Sequence, residues 1–155
     1  MKQPWLVYAD TSVFGGVFDP EFRSASEAFF DLAREGKVEV AISALVVDEL
    51  AGAPEDVSRL FAELEPLLFQ VDVDESAYEL QEAYLDAGVV SRNWEADALH
   101  VAVATVTECR LIVSWNFKHI VNFRRIPLYN GVNMSRGYGN IAIHAPSEVS
   151  FDEED

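Results

Sequence analysis

Short apolar runs alternate along the chain with longer stretches whose apolar residues recur at helical spacing. Trp5 to Ala9 is a continuous apolar run that predicts a buried first strand. Ser24-Ala25-Ser26-Glu27 has capping-box spacing, and Ala28, Phe29, Phe30, Leu32 and Ala33 give a helical stripe that stops at Gly36. Val38 to Ile42 predicts a second strand, followed by a helix capped by Ser43, running to Leu50 and closed by Gly52. Pro54 suits a first helical turn, with Val57, Leu60, Phe61 and Leu64 on one face until Pro66. A weaker strand follows over Leu67 to Val71, then a helix from the cap Asp74 to Asp86 with Gly88 as its stop. Asn93 is placed to cap a helix over Trp94 to Glu108, and Leu111 to Val113 predicts another buried strand. Phe117 to Ile120 and Pro127 to Ser135 read as helical, and Ile141 to His144 as a last strand. Strands alternating with helices predict a three-layer α/β/α sandwich on a mostly parallel central sheet.

Half of the 155 residues are hydrophobic, enough for one real core. A single domain over 1–147 is expected, followed by an acidic segment over 148–155 expected to be disordered, above all Asp152 to Asp155. The first apolar run stops at Asp10, too short for a signal-peptide core or a membrane span, so a soluble, cytoplasmic protein with no membrane association is expected. Cys109 is the only cysteine, which excludes internal disulfides and Cys-cluster zinc sites, and its place near the end of an apolar helix pattern favours packing. A net charge of -16 opposes binding of a polyanion. Its distribution is uneven, however: between Cys109 and Ser147 stand Arg110, Lys118, Arg124, Arg125 and Arg136 and no acid, so a locally basic stretch can still meet one.

Candidate chemistry lies in four separated segments. Asp10 directly follows the first strand, Asn116 closely follows the Leu111–Val113 strand, Glu49 sits in the short helix leaving the second strand, and Asp97 lies near the start of its helix. In an open parallel sheet the carboxyl ends of the strands form the ligand edge, so this topology would gather all four there. An Asp after a strand is ordinarily a turn residue, an early helical Asp ordinarily serves the dipole, and Glu49 alone could be a solvated helix face. Asp97, however, stands among Ala96, Ala98, Leu99, Val101 and Ala102 with no Lys or Arg nearby, so it needs a partner. Acids gathered in one cleft repel unless a cation lies between them, and hard divalent cations take carboxylate and amide oxygens. A metal-dependent enzyme acting on phosphate esters is the economical reading.

The segments Tyr8-Ala9-Asp10-Thr11-Ser12-Val13-Phe14-Gly15-Gly16, Val47-Asp48-Glu49-Leu50, Ala96-Asp97-Ala98-Leu99-His100-Val101-Ala102 and Ile112-Val113-Ser114-Trp115-Asn116-Phe117-Lys118-His119-Ile120 resemble, in order, the PIN domain of metal-dependent ribonucleases, especially its toxin-like VapC branch. The stretch from Tyr129-Asn130-Gly131-Val132-Asn133 to Arg136-Gly137-Tyr138 is similar to that family's last helical segment. The resemblance implies a Mg²⁺- or Mn²⁺-dependent endoribonuclease, with Asp10, Glu49 and Asp97 as metal ligands and Asn116 completing the catalytic set. Ser12 matches a hydroxyl position that supports the acids, joined by Thr11 and Ser114. Asn116 falls where many members carry a fourth Asp; its amide oxygen can ligate but brings no charge, so the resemblance implies a second ion bound weakly or only with substrate. The resemblance also implies a homodimer held inactive by a cognate antitoxin, whose basic tail suits an acidic groove.

Lys118, Arg124 and Arg125 are candidates for holding the RNA backbone, with an exposed helix surface as their bland alternative. Asp97 and His100 stand one turn apart, but the doubled Glu-x-x-His motif of di-iron bundles and the His-Glu-x-x-His zinc motif are both missing, so a packed, satisfied His100 is expected, with His119 facing the cleft mouth. Phe29, Phe30, Phe61, Tyr78 and Tyr84 could supply a dimer interface or simply the core. Two other function classes stay open: a catalytically weak module that binds RNA or a protein partner, and a phosphatase or phosphotransferase using Asp10 as nucleophile. Haloacid-dehalogenase-like sites need a second Asp two residues on, where this chain has Ser12.

Overall fold

The computed structural model describes residues 3–151. Asp152 to Asp155, the core of the expected disordered tail, lie outside the described residues. Five strands, β1 (Trp5–Ala9), β2 (Val38–Ile42), β3 (Leu68–Gln70), β4 (Leu111–Val113) and β5 (Ala142–His144), form one sheet in the order β3-β2-β1-β4-β5. Every pairing is parallel, with Tyr8 opposite Ala41 on one side and Ile112 on the other. The connecting helices are α1 (Thr11–Gly16), α2 (Arg23–Arg34), α3 (Ala44–Leu50), α4 (Glu55–Leu64), α5 (Glu75–Asp86), α6 (Glu95–Val106) and α7 (Ile126–Ser135). The expected α/β architecture is present, with an all-parallel sheet between helices. Parallel strands covered on both faces read as unbroken apolar runs, which is why Val7, Tyr8, Ala9, Ile112 and Val113 are all fully buried.

The strand order sets the ligand edge. From β1 the chain winds outward through β2 to β3, then returns to lay β4 on the other side of β1. The winding direction reverses between β1 and β4, and a crevice opens at such a switch point beyond the strand ends. Asp10 follows β1 and Ser114 follows β4, so both flank it.

Several local expectations differ from what folds. α1 carries no strong apolar period, so the sequence pattern does not announce it; Asp10 creates it by capping, its side chain accepting the Ser12 N–H. α2 begins at Arg23 after Phe22, with no side-chain cap, so Ser24-to-Glu27 is not a capping box. Ser43 holds the cap position of α3 without a capping hydrogen bond, because its hydroxyl is spent on Tyr8. Asn93 lies inside a 3₁₀ turn over Arg92–Trp94, and α6 starts only at Glu95. The Phe117-to-Ile120 stretch is a hydrogen-bonded turn returning to the Asn116 carbonyl. Asp74 does cap α5, accepting from the Ala77 N–H at 3.1 Å. Residues 148–151, expected in the tail, include Phe151, whose ring packs edge-on against Trp5 at 5.6 Å.

Phe14, Phe29, Phe30, Tyr84 and Tyr129 fill the core, and Phe61 is partly buried against it. Of the aromatic residues weighed for an interface, only Tyr78 is exposed. Among the described residues no helix is long and apolar enough to cross a membrane.

Candidate active site

Asp10 is the anchor of the site. Only 4 % of it reaches solvent. Its Oδ1 accepts the Ser12 hydroxyl at 2.6 Å and the Ser12 N–H at 3.1 Å, and its Oδ2 accepts the Ser114 hydroxyl at 2.6 Å. The Trp115 N–H donates in turn to the Ser12 hydroxyl and the Asn116 N–H to Ser114, so the loop after β4 is threaded onto the same carboxylate. Burial pushes the Asp10 carboxyl up from its ordinary value, against the opposing pull of His100 and the two serine hydroxyls. A carboxylate placed there carries a desolvation cost that invites a cation.

Glu49 reaches the same region from α3. Its Oε1 accepts the Thr11 hydroxyl at 2.9 Å and lies 2.6 Å from His100 Nε2. The other ring nitrogen of His100 meets the Tyr8 hydroxyl at 2.8 Å, and that hydroxyl meets Ser43 at 2.8 Å. With Nε2–H donating to the carboxylate, Nδ1 accepts from Tyr8 and Ser43 completes the relay. Partial burial opposes the Glu49 charge, yet the hydrogen bond and charge of His100, with Thr11, outweigh it and hold the carboxyl below its ordinary value. His100 is buried and fully engaged, as expected of a packed histidine.

Asp97, on the first turn of α6, does find a protein partner: His119 Nδ1 lies 3.0 Å from its Oδ2. His119 does not face outward at the mouth; it is 5 % exposed, and its ring stacks on Trp94 at 4.4 Å. The Asn116 side-chain oxygen accepts the His119 N–H at 2.9 Å, so in this state it fixes the histidine-bearing turn. Lys118 is exposed, with Nζ 5.7 Å from the Trp94 ring centroid, and Arg124 is exposed. Arg125 is half-buried, and its Nε is buried with no hydrogen-bond partner.

The four sequence segments therefore meet around one sheet edge, joined by hydrogen bonds through Thr11, Ser12, Ser114, His100 and His119. The oxygen donors are those that Mg²⁺ takes. Glu49 Oε2 and Asp97 Oδ1 accept no hydrogen bond among the described residues, which leaves them available. Among those residues, however, no three His, Cys, Asp or Glu side chains stand together as a group that could hold a metal ion. Glu49 and Asp97 are instead each drawn to a histidine. Sequence reasoning missed the His119–Asp97 pair and the Tyr8–His100 relay; Asn116-x-x-His119 spacing was visible, but nothing in it says that the turn folds back onto α6. A separate cavity of about 560 Å³, bordered by Trp5, Arg110, Ala142, His144 and Glu148, touches none of Asp10, Glu49 and Asp97.

No family model matches the sequence, and no curated protein matches it. Solved structures do match in shape. VapBC2 from Rickettsia felis, bound to a DNA fragment from its promoter, aligns with a TM-score of 0.59 at 17 % identity over 89 % of this chain and 96 % of its own. FitAcB from Neisseria gonorrhoeae gives 0.59 at 17 % identity over 92 % and 99 %. FitAB bound to an IR36 DNA fragment gives 0.58 at 15 % identity over 95 % and 99 %. At such identities the likeness is one of fold.

Proposed function

We propose that this chain is a divalent-metal-dependent endoribonuclease of the PIN type, acting in the cytoplasm as the toxin of a toxin–antitoxin pair. The observation that carries the reading is the enclosed Asp10 carboxylate at the switch point, oriented by Ser12 and Ser114, with Glu49 and Asp97 on the same edge of a sheet shaped like those in VapBC2 and FitAB. Asp10, Glu49 and Asp97 would hold Mg²⁺ or Mn²⁺, Glu49 through Oε2 and Asp97 through Oδ1, the oxygens their histidines leave free. Such an ion supplies an activated water and a counter-charge for phosphodiester hydrolysis. The protein's own part is positional: the serines fix Asp10, His100 and Thr11 fix Glu49, and His119, itself held by Asn116, fixes Asp97. Lys118, Arg124 and Arg125 would meet backbone phosphates. Partners in this reading are the RNA substrate, an antitoxin whose basic segment enters the acidic edge, and a second copy of the chain.

Asp10→Asn is the test. It should abolish cleavage of RNA in Mg²⁺ or Mn²⁺, and undiminished cleavage would remove the proposal. One observation favours a second reading, a weakly catalytic module that binds RNA or protein: Asn116 is engaged by the His119 N–H, Glu49 and Asp97 by histidines, and both oxygens of Asp10 by serine hydroxyls. Calorimetric titration with Mg²⁺ separates the two, since a nuclease should show binding that Asp10→Asn and Asp97→Asn each eliminate.

A further inference from the structure

One face of the sheet is left open at its β5 end. Opposed residues of a parallel pair share a face, and so do residues two apart in a strand, so the pairings Val7–Leu111 and Leu111–Ala142 set Trp5, Leu111, Ala142 and His144 on the same side. Ala142 is exposed there and Trp5 is 40 % exposed. The stretch after β5 crosses this opening: a 3₁₀ turn over Pro146–Glu148 leads on to Phe151, which meets Trp5. Between that stretch and the sheet lies the cavity of about 560 Å³. Trp5, Arg110 and Ala142 stand at the starts of β1, β4 and β5, at the sheet edge opposite to the one that carries Asp10.

The border of the cavity carries opposite charges on separate elements. Arg110 lies over the Trp5 ring, 4.1 Å from its centroid, and forms no ion pair among the described residues. Glu148 spends Oε1 on the Ala145 N–H at 3.0 Å and holds Oε2 3.6 Å from His144 Nδ1, too long for a good hydrogen bond. Trp5 and Phe151, in edge contact, make one aromatic wall, and Leu111 and Ala142 an apolar floor. A largely apolar cavity of this size with a few convergent polar groups is the form that small-molecule sites take. The guanidinium fork fits a carboxylate or phosphate, the Glu148 carboxylate accepts from an N–H, and the aromatic wall takes a flat ring. An inorganic anion would engage Arg110 alone, and a plain hydrocarbon would leave both charges unmatched.

We propose that this cavity binds a small amphoteric ring compound, its anionic group on Arg110, an N–H donor on Glu148 and its planar ring against Trp5 and Phe151. Purine mononucleotides and tryptophan-like amino acids share that chemistry. The site is separate from the carboxylate edge and does not rest on the ribonuclease reading. Calorimetry on the full chain in EDTA, with AMP and L-tryptophan as probes, tells the two sources apart. At least one should bind with a Kd below about 1 mM. Adenosine and tryptamine, which lack the anion, should bind at least about tenfold more weakly than their charged counterparts. Arg110→Gln, confirmed as folded by its melting curve, should weaken binding about 10- to 150-fold. Ala142→Leu, which fills the floor and removes no polar group, should weaken it as well. Glu148→Gln should cost L-tryptophan, whose donor is a full ammonium, more than AMP, whose donor is a neutral amine. Amide chemical-shift changes on binding should gather at Arg110, Ala142 and Glu148 and spare Asp10, Ser12 and Ser114. Failure of both probes to bind below about 1 mM, equal binding of the uncharged analogues, or affinity that survives both Arg110→Gln and Ala142→Leu would overturn the site. Shifts centred on Asp10 would overturn it too, by placing the ligand at the other edge of the sheet.

Discussion

Asp10 is a carboxylate whose folded environment disfavours its own charge, and that has a consequence for stability. Its folded pKa is raised by burial above the unfolded value of about 3.9, so the folded state binds more protons across the interval between the two. Stability contributed by this group is therefore full below the unfolded pKa and is lost as pH rises toward the folded one. Glu49 has the opposite sign: its folded pKa is depressed, so its contribution is present above the unfolded value and lost on acidification. Comparing the wild type with Asp10→Asn isolates the first effect. The two should melt together near pH 4, and Asp10→Asn should become the more stable by several degrees at pH 8. Added Mg²⁺ should close the gap by raising the melting temperature of the wild type alone. A wild type that gains on the variant as pH rises would contradict the buried-charge account. Gly16 offers a second test at this scale. A Cβ there would lie 2.5 Å from the Ser26 hydroxyl and 2.6 Å from the Trp115 indole nitrogen, nearer than real contacts allow. Gly16→Ala should displace Trp115, cost about 1–3 kcal/mol, and red-shift the tryptophan emission.

Among the elements, α5, α6 and α7 are joined by a polar knot as well as by apolar packing. The Tyr84 hydroxyl donates to the Asn133 side-chain oxygen, the Asn133 amide reaches Thr105 at 3.5 Å, and Thr105 donates to the Val101 carbonyl at 2.9 Å. Asn133 is fully buried, so removing its amide leaves the buried Tyr84 hydroxyl only a long 3.5 Å contact with Thr105. Asn133→Ala should cost about 1–3 kcal/mol, Tyr84→Phe less, and the double variant less than the sum, which urea melts of all three would read. This knot also shows where sequence reading stops. Strand positions were legible because buried parallel strands are unbroken apolar runs, and α5 was legible because Asp74 has no better use than capping. Ser43, Ser24 and Asn93 carried the same local signal, but Ser43 spends its hydroxyl on Tyr8, α2 begins one residue before Ser24, and a 3₁₀ turn takes Asn93. Local propensity loses wherever a long-range partner or a preceding turn competes for the same polar atom. Likewise the convergence of Asp10, Glu49 and Asp97 followed from topology, while their histidine partners depend on side-chain packing that no spacing encodes.

For the whole molecule, charge decides how partners arrive. The chain carries -16 overall, yet Lys118, Arg124 and Arg125 lie in a segment free of acids. At a distance beyond the Debye length a polyanion sees nothing, and within it at low salt it meets the repulsion of the whole body before reaching the local cations. RNA association should therefore be slow at about 10 mM salt, where the screening length is roughly 30 Å, and should speed up as salt approaches about 100 mM and that length shrinks to roughly 10 Å. A basic peptide, attracted by the same field, should show the reverse and associate most slowly at the higher salt. On the proposed reading the dissociation rate of RNA should still increase with salt, since the phosphate contacts assigned to Lys118, Arg124 and Arg125 would be screened. Stopped-flow traces at a series of salt concentrations separate the two rate constants. If RNA association slows with added salt as it does for a nucleic-acid protein of net positive charge, the local basic segment rather than the acidic body governs encounter, and Lys118→Glu should then reduce that rate more than any change among the acidic helices.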